Sequence, residues 1–141
     1  MDSFSLKTYL LEVKNAEELY ERLIILGQSL PKLGAEAKIP ENLVSGCQSV
    51  MYCTSTLKDG KVYFECDSEA LISKGIAALL VSLLSGLEPE AILKDPLSII
   101  QELKLPLLLS QSRSNGLLSL HTKMKRSALN FILLKQKLLH S

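Results

Sequence analysis

The chain has no excess charge of either sign, no long apolar run and no paired set of cysteines, and each absence removes a class of function. Its 141 residues carry 16 Lys and Arg against 15 Asp and Glu. A net charge of +1 gives no electrostatic footprint for nucleic acid, because phosphate binding needs clustered cations. The unbroken apolar stretches, such as Ile76 to Val81, are far too short to span a bilayer. Asp2 and Lys7 stand where a secretion signal would need a basic start followed by an apolar segment. The expectation is a soluble, cytoplasmic protein with neither nucleic acid nor membrane as a partner. The three cysteines cannot complete a disulfide framework, and reduced thiols suit that compartment.

Familiar catalytic and metal signatures are missing too. Cys47, Cys53 and Cys66 are spaced C-x5-C and C-x12-C with no CxxC, and the only histidines are His121 and His140. A structural zinc site normally needs about four ligands at tighter spacing. There is no G-x-S-x-G, and Ser112-Arg113-Ser114-Asn115-Gly116 has too few glycines to cradle a phosphate. A helix start bearing an arginine can still receive an anion or hold a loop in place. A capped helix with a solvated Arg113 explains the same residues equally well.

What is present is patterned. Asn15 followed by Glu18 forms a capping box, and Leu19, Leu23, Ile24 and Leu26 recur at helical spacing until Gly27, where the helix should stop. Phe4 to Val13 suggests a shorter helix before it. From Gln28 to Gly46 the periodicity is lost among Pro31, Gly34 and Pro40, and a loop of that length in a small domain is more often functional than idle. Ser49 to Leu57 and Val62 to Asp67 alternate like strands around Asp59-Gly60, a strong hairpin signal. That register pairs Leu57 with Val62, Ser55 with Phe64 and Cys53 with Cys66, and with Met51 these form the face that meets the core.

Asp67 or Ser68 should cap a buried helix running to about Leu84, and Glu88-Pro89 and Asp95-Pro96 should each open a short one. A last helix is expected from near Ser112 to Gly116 towards Leu139. Leu117, Met124, Phe131 and Leu138 recur seven apart along it, as a partner-helix seam or as core. One domain over 1–141 is expected, with a helical extension from about 126. Its class is α+β, with helices packed on one side of a small antiparallel sheet.

Cys53 and Cys66 read as inert core residues on adjacent strands that oxidation could link. Cys47 lies at the mouth of the hairpin, after a glycine that lets backbone or a partner approach, and a reactive and a structural thiol are equally open there.

In order along the chain, LIILGQSLPKL, IPENLVSGCQS, DSEALISKGIAALLVSLLSGLEPEAIL and LSQSRSNGL resemble the SufE family of sulfur-acceptor proteins of iron–sulfur cluster assembly, over about Glu17 to Lys125. PEN-x-V-x-GCQS and the later SR-x-NGL are the specific motifs. The resemblance implies a carrier and desulfurase activator, not a self-contained enzyme. Cys47 would accept persulfide sulfur from a pyridoxal-phosphate cysteine desulfurase and pass it to a downstream cluster scaffold. It would hold no cofactor beyond that transient persulfide. Gly46, Gln48, Ser49 and Arg113 would support the site or touch the partner, and a homodimer is left open. Val50-Met51-Tyr52 replaces a segment that in the family typically carries glutamine and tryptophan, and Cys66 stands where the family commonly has glycine. The related cluster scaffolds share the fold, so the alternative is that Cys47 and Cys66 hold iron or zinc directly. The scaffolds' later His-Cys ligand pair is absent here, with Arg113 in its region.

Overall fold

The hairpin forms where Asp59 and Gly60 both take left-handed backbone, with φ of 53° and 78°. That conformation at two successive positions turns the chain with the twist of the strands it joins. In the computed structural model, which describes residues 3–46, 49–105 and 109–140, strands β1 (Met51–Lys58) and β2 (Lys61–Ser68) pair antiparallel. Cys53 opposes Cys66, Ser55 opposes Phe64 and Leu57 opposes Val62, the register expected from the turn. Met51, Cys53, Val62, Phe64 and Cys66 are buried, whereas Leu57, at the turn end of the same face, stays 42% exposed.

Each outer edge of the hairpin is met by a short loop segment. The Val44 N–H donates to the Met51 carbonyl at 2.9 Å, alongside a bridge between Leu43 and Tyr52. The Val62 N–H donates to the Leu87 carbonyl at 2.9 Å, and the Phe64 N–H donates to Ser85 Oγ at 3.0 Å. Free strand edges invite foreign pairing, and these contacts occupy part of both.

Helices α1 (Ser3–Leu11) and α2 (Ala16–Gln28) precede the hairpin. Helices α3 (Leu71–Leu84), α4 (Pro89–Lys94), α5 (Ser98–Glu102) and α6 (Gln111–Leu139) follow it. Asn15 caps α2 by accepting from the Glu18 N–H at 2.9 Å, as its capping pattern requires, while Glu18 reaches back to the Lys14 N–H. Gly27 does not end α2, which continues to Gln28. It marks instead the crossing with α3: a Cβ on Gly27 would lie 2.8 Å from the Gly75 nitrogen, and one on Gly75 would lie 2.3 Å from the Leu23 carbonyl oxygen. Two glycines let the helices approach backbone to backbone.

Helix α3 lies against β2, α2 packs on α3, and α6 packs on α4 and α3. The hydrophobic core between them includes Leu23, Ile76, Leu79, Leu80, Leu84, Leu120 and Met124, all at 2% exposure or less. Fully burying one such side chain stabilises by about 1.5 to 3 kcal/mol.

Three expected helix starts differ in detail. The N-cap of α3 is Ala70, with no side-chain cap, because Asp67 is still in β2 and turned to another task. Its carboxylate accepts from the Leu33 N–H at 3.3 Å and lies 3.6 Å and 3.9 Å from the ammoniums of Lys74 and Lys38. This nearly buried carboxylate ties the long loop after α2 to the sheet. Pro89 does open α4, but α5 starts at Ser98, after Leu97 adopts left-handed φ of 49° and donates its N–H to Asp95 Oδ1 at 2.8 Å. Helix α6 begins at Gln111, with Ser110 as its cap. Pro106, a residue that in the sequence should end this section of short helices, falls outside the described residues.

Candidate functional site

The loop from Ser29 to Gly46 lacks helical or strand periodicity yet is held at several points. Single 3-10 turns form at Ala35–Ala37 and Pro40–Asn42, where proline at the first position suits a helical start. The Asn42 side chain donates back to the Ala37 carbonyl at 2.8 Å, closing the loop on itself. Lys123, on α6, donates to the Glu41 carbonyl at 2.8 Å although the two are 82 residues apart in sequence. Val44 is buried and bonded to β1, so the chain reaches Ser45 and Gly46 with little freedom.

Gly46 has φ of +81°, a region that L side chains rarely adopt, and a Cβ there would lie 2.9 Å from Ser119 Oγ on α6. The backbone conformation therefore favours glycine before Cys47, and the short distance shows how closely Gly46 approaches the Ser119 hydroxyl. Cys47 and Gln48 lie outside the described residues. Ser49, where description resumes, is half-buried in a cleft of about 50 Å³ that it shares with Ser73 and Ile76 of α3 and with Ser112, Arg113 and Gly116 of α6. The residues on either side of Cys47 and Gln48 thus both rest on α6.

Arg113 is exposed in the first turn of α6, and its N–H donates to Ser110 Oγ at 3.4 Å. Among the described residues its guanidinium meets no carboxylate. The start of α6 adds the positive end of the helix dipole. A cation, hydroxyls and a helix N-terminus around one small cleft can stabilise a thiolate or a terminal persulfide sulfur.

The remaining thiols have other surroundings. Cys53 and Cys66 are buried at 4% and 1% exposure on the core face of the hairpin. The hydrogen bond between the two thiols, together with burial, holds the Cys66 thiol well above its ordinary range, so it stays protonated and unreactive. His121 sits on α6 beside an apolar cavity of about 230 Å³ lined by Leu97, Ile100, Leu109 and Leu117. His140 is exposed at the far end of the helix. Among the described residues no three His, Cys, Asp or Glu side chains gather as metal ligands would.

The structure places Ser49 and Arg113 in one cleft and Gly46 against Ser119, whereas Ser73, Ser119, Lys123 and Asp67 leave no local signal in the sequence. Each acts through a contact distant in sequence. Only Asp67 carries a hint, as a carboxylate in an apolar stretch, and capping is the commoner use of such a residue.

Residues 5–128 match the family model for SufE, described as an Fe-S metabolism associated domain. The chain belongs to the SufE family. It is 39% identical over 112 residues to an uncharacterized SufE-like protein of Synechocystis, covering 79% of this chain and 70% of that one. It is 36% identical over 119 residues to the SufE-like protein 1, chloroplastic/mitochondrial, of Arabidopsis thaliana. That match takes in 84% of this chain but only 32% of the relative, which is about three times as long as the shared region. The solution structure of a hypothetical protein from Thermus thermophilus has the same fold, with a TM-score of 0.70 over 92% of this chain and 99% of that one at 23% identity. SufE membership gives the chain a role in iron–sulfur metabolism and sulfur transfer, of the carrier or activator kind. None of the described helices is long and apolar enough to cross a membrane.

Proposed function

We propose that this SufE protein is a sulfur carrier that takes persulfide sulfur from a cysteine desulfurase onto Cys47 and delivers it for cluster assembly, stimulating the desulfurase by clearing it. One observation carries the reading: the chain on both sides of Cys47 and Gln48 rests on α6, with Ser49 in the same cleft as Arg113. Two motifs far apart in sequence converge there, as a shared task would require.

The step needs no external oxidant or reductant. The Cys47 thiolate attacks the outer sulfur of the donor persulfide, a new S–S bond forms, the old one breaks, and the donor cysteine leaves as thiolate. Arg113 and the start of α6 favour the anionic forms on the carrier side. Gln48 and Ser49 are the proposed hydrogen-bonding neighbours of the transferred sulfur. The carrier works in a reducing compartment, the cytoplasm, and hands its sulfur to a downstream cluster scaffold. The scaffold reading requires Cys66 as a metal ligand, and that thiol is buried beside Cys53 in the core.

Desulfurase turnover with L-cysteine, measured with and without the carrier, tests the proposal. Wild type should accelerate turnover and Cys47→Ser should not. Equal acceleration by both would end the assignment of Cys47.

A further inference from the structure

The sixteen cations are not spread evenly. Helix α6 holds Arg113, Lys123, Lys125, Arg126, Lys135 and Lys137 and none of the 15 carboxylates, so the rest of the chain is acidic while this helix is wholly basic. A near-neutral total conceals two oppositely charged parts.

Beside Gly46, the basic helix and the loop form an open groove of about 290 Å³, lined by Leu43 and Ser45 on the loop and by Leu118, Ser119, Lys123 and Arg126 on α6. Leu43 and Leu118 remain 41% and 61% exposed on its two sides. Lys123 gives its ammonium to the Glu41 carbonyl, a neutral acceptor, so its charge is not cancelled. Arg126 meets no carboxylate among the described residues. The groove therefore offers apolar surface framed by uncompensated positive charge.

We infer that this groove is the docking surface for the sulfur donor, which meets it with an acidic segment carrying apolar side chains. The inference rests on Cys47 as the acceptor. Cys47 is bonded to Gly46, and Gly46 lies against Ser119 in the wall of the groove. A donor that brings a persulfide to Cys47 covers this part of α6 in doing so. Exposed leucines supply contact area once water is expelled, and the cations select an acidic surface and steer its approach.

The test measures stimulation of the cysteine desulfurase of the same organism against carrier concentration, at low and high salt, for wild type, Leu118→Ser, Arg126→Glu and Lys137→Glu. Lys137 bears the same charge about 16 Å further along the helix, from the rise of an α-helix over eleven residues. Arg126→Glu should raise the half-saturating concentration by about tenfold at low salt, with the gap closing at high salt. Leu118→Ser should raise it by a similar factor at both salts, and Lys137→Glu should stay within about twofold of wild type. Unchanged midpoints for Leu118→Ser and Arg126→Glu, with wild type still taking up sulfur, would overturn the docking surface and leave Cys47 standing. An equal shift for Lys137→Glu would also overturn it, since total charge and not this face would be at work. A wild type that takes up no sulfur would overturn the carrier reading and this inference together. Melting curves matching wild type confirm that the substitutions keep the fold.

Discussion

Arg113 and His121 lie on the same helix in opposite settings, one exposed and one half-buried. Arg113 is exposed, so its loss should change stability by no more than about 0.5 kcal/mol. A charge-assisted contact to the donor or to the Cys47 loop contributes about 1.5 to 3 kcal/mol. If the contact is to the donor, Arg113→Ala should need about tenfold to hundredfold more protein for the same desulfurase stimulation, with an unchanged melting temperature. If the contact is within the carrier, the maximum rate falls and the midpoint holds. Normal midpoint and rate together would remove Arg113 from the site. His121 is half-buried, and burial first, then Lys125, lowers its pKa while Asp95 opposes them. The unfolded imidazole protonates near about 6.5, above the native one, so the unfolded state gains protons first as the pH falls. The His121 contribution is thus fully present above that value and is lost as the pH drops below it. Between about pH 7.5 and about pH 5.5, denaturant melts of wild type should lose more stability than those of His121→Phe. Equal losses would show that the imidazole titrates as freely in the native state as in the unfolded one. Local pattern cannot place either residue, because each depends on how loops distant in sequence settle on α6.

The crossing of α2 with α3 sets where the loop leaves α2, and it depends on backbone contact between Gly27 and Gly75. A Cβ at Gly75 would lie 2.3 Å from the Leu23 carbonyl oxygen, and backbone cannot move aside as a side chain can. Gly75→Ala should therefore destabilise the fold by about 1 to 3 kcal/mol by chemical denaturation, despite alanine's better helix propensity. A neutral or stabilising effect would mean that the helices can separate at no cost. The same pair shows what is legible at this scale. The hairpin, its register and the cap of α2 are readable because the turn dipeptide, strict alternation and a capping box are local codes. Gly27 reads as a stop, and Asp67 as a cap, because a close helix crossing and a loop clamp use the same residue types as those signals. Their partners, Gly75 and Leu33, are distant in sequence.

Over the whole molecule, composition points to the class and hides the polarity. The order of helix, hairpin and helices leads to an α+β fold, which the structure and its Thermus relative share. Net charge misleads, because averaging +1 over 141 residues conceals a helix with cations and no carboxylates. That helix holds the loop through Lys123, lies against Gly46 at Ser119 and lends Arg113 to the cleft beside Ser49, so one element meets the described residues on both sides of Cys47 and Gln48. The proposed carrier requires that sulfur rest on Cys47 and on neither of the buried thiols. Mass analysis after incubation with a cysteine desulfurase and L-cysteine, with the thiols alkylated and the peptides mapped, tests it most directly. Wild type should gain reductant-labile sulfur on the Cys47 peptide alone, Cys53→Ser and Cys66→Ser should gain it equally, and Cys47→Ser should gain none. Sulfur mapped to Cys66 with Cys47 unmodified would overturn the carrier role of Cys47.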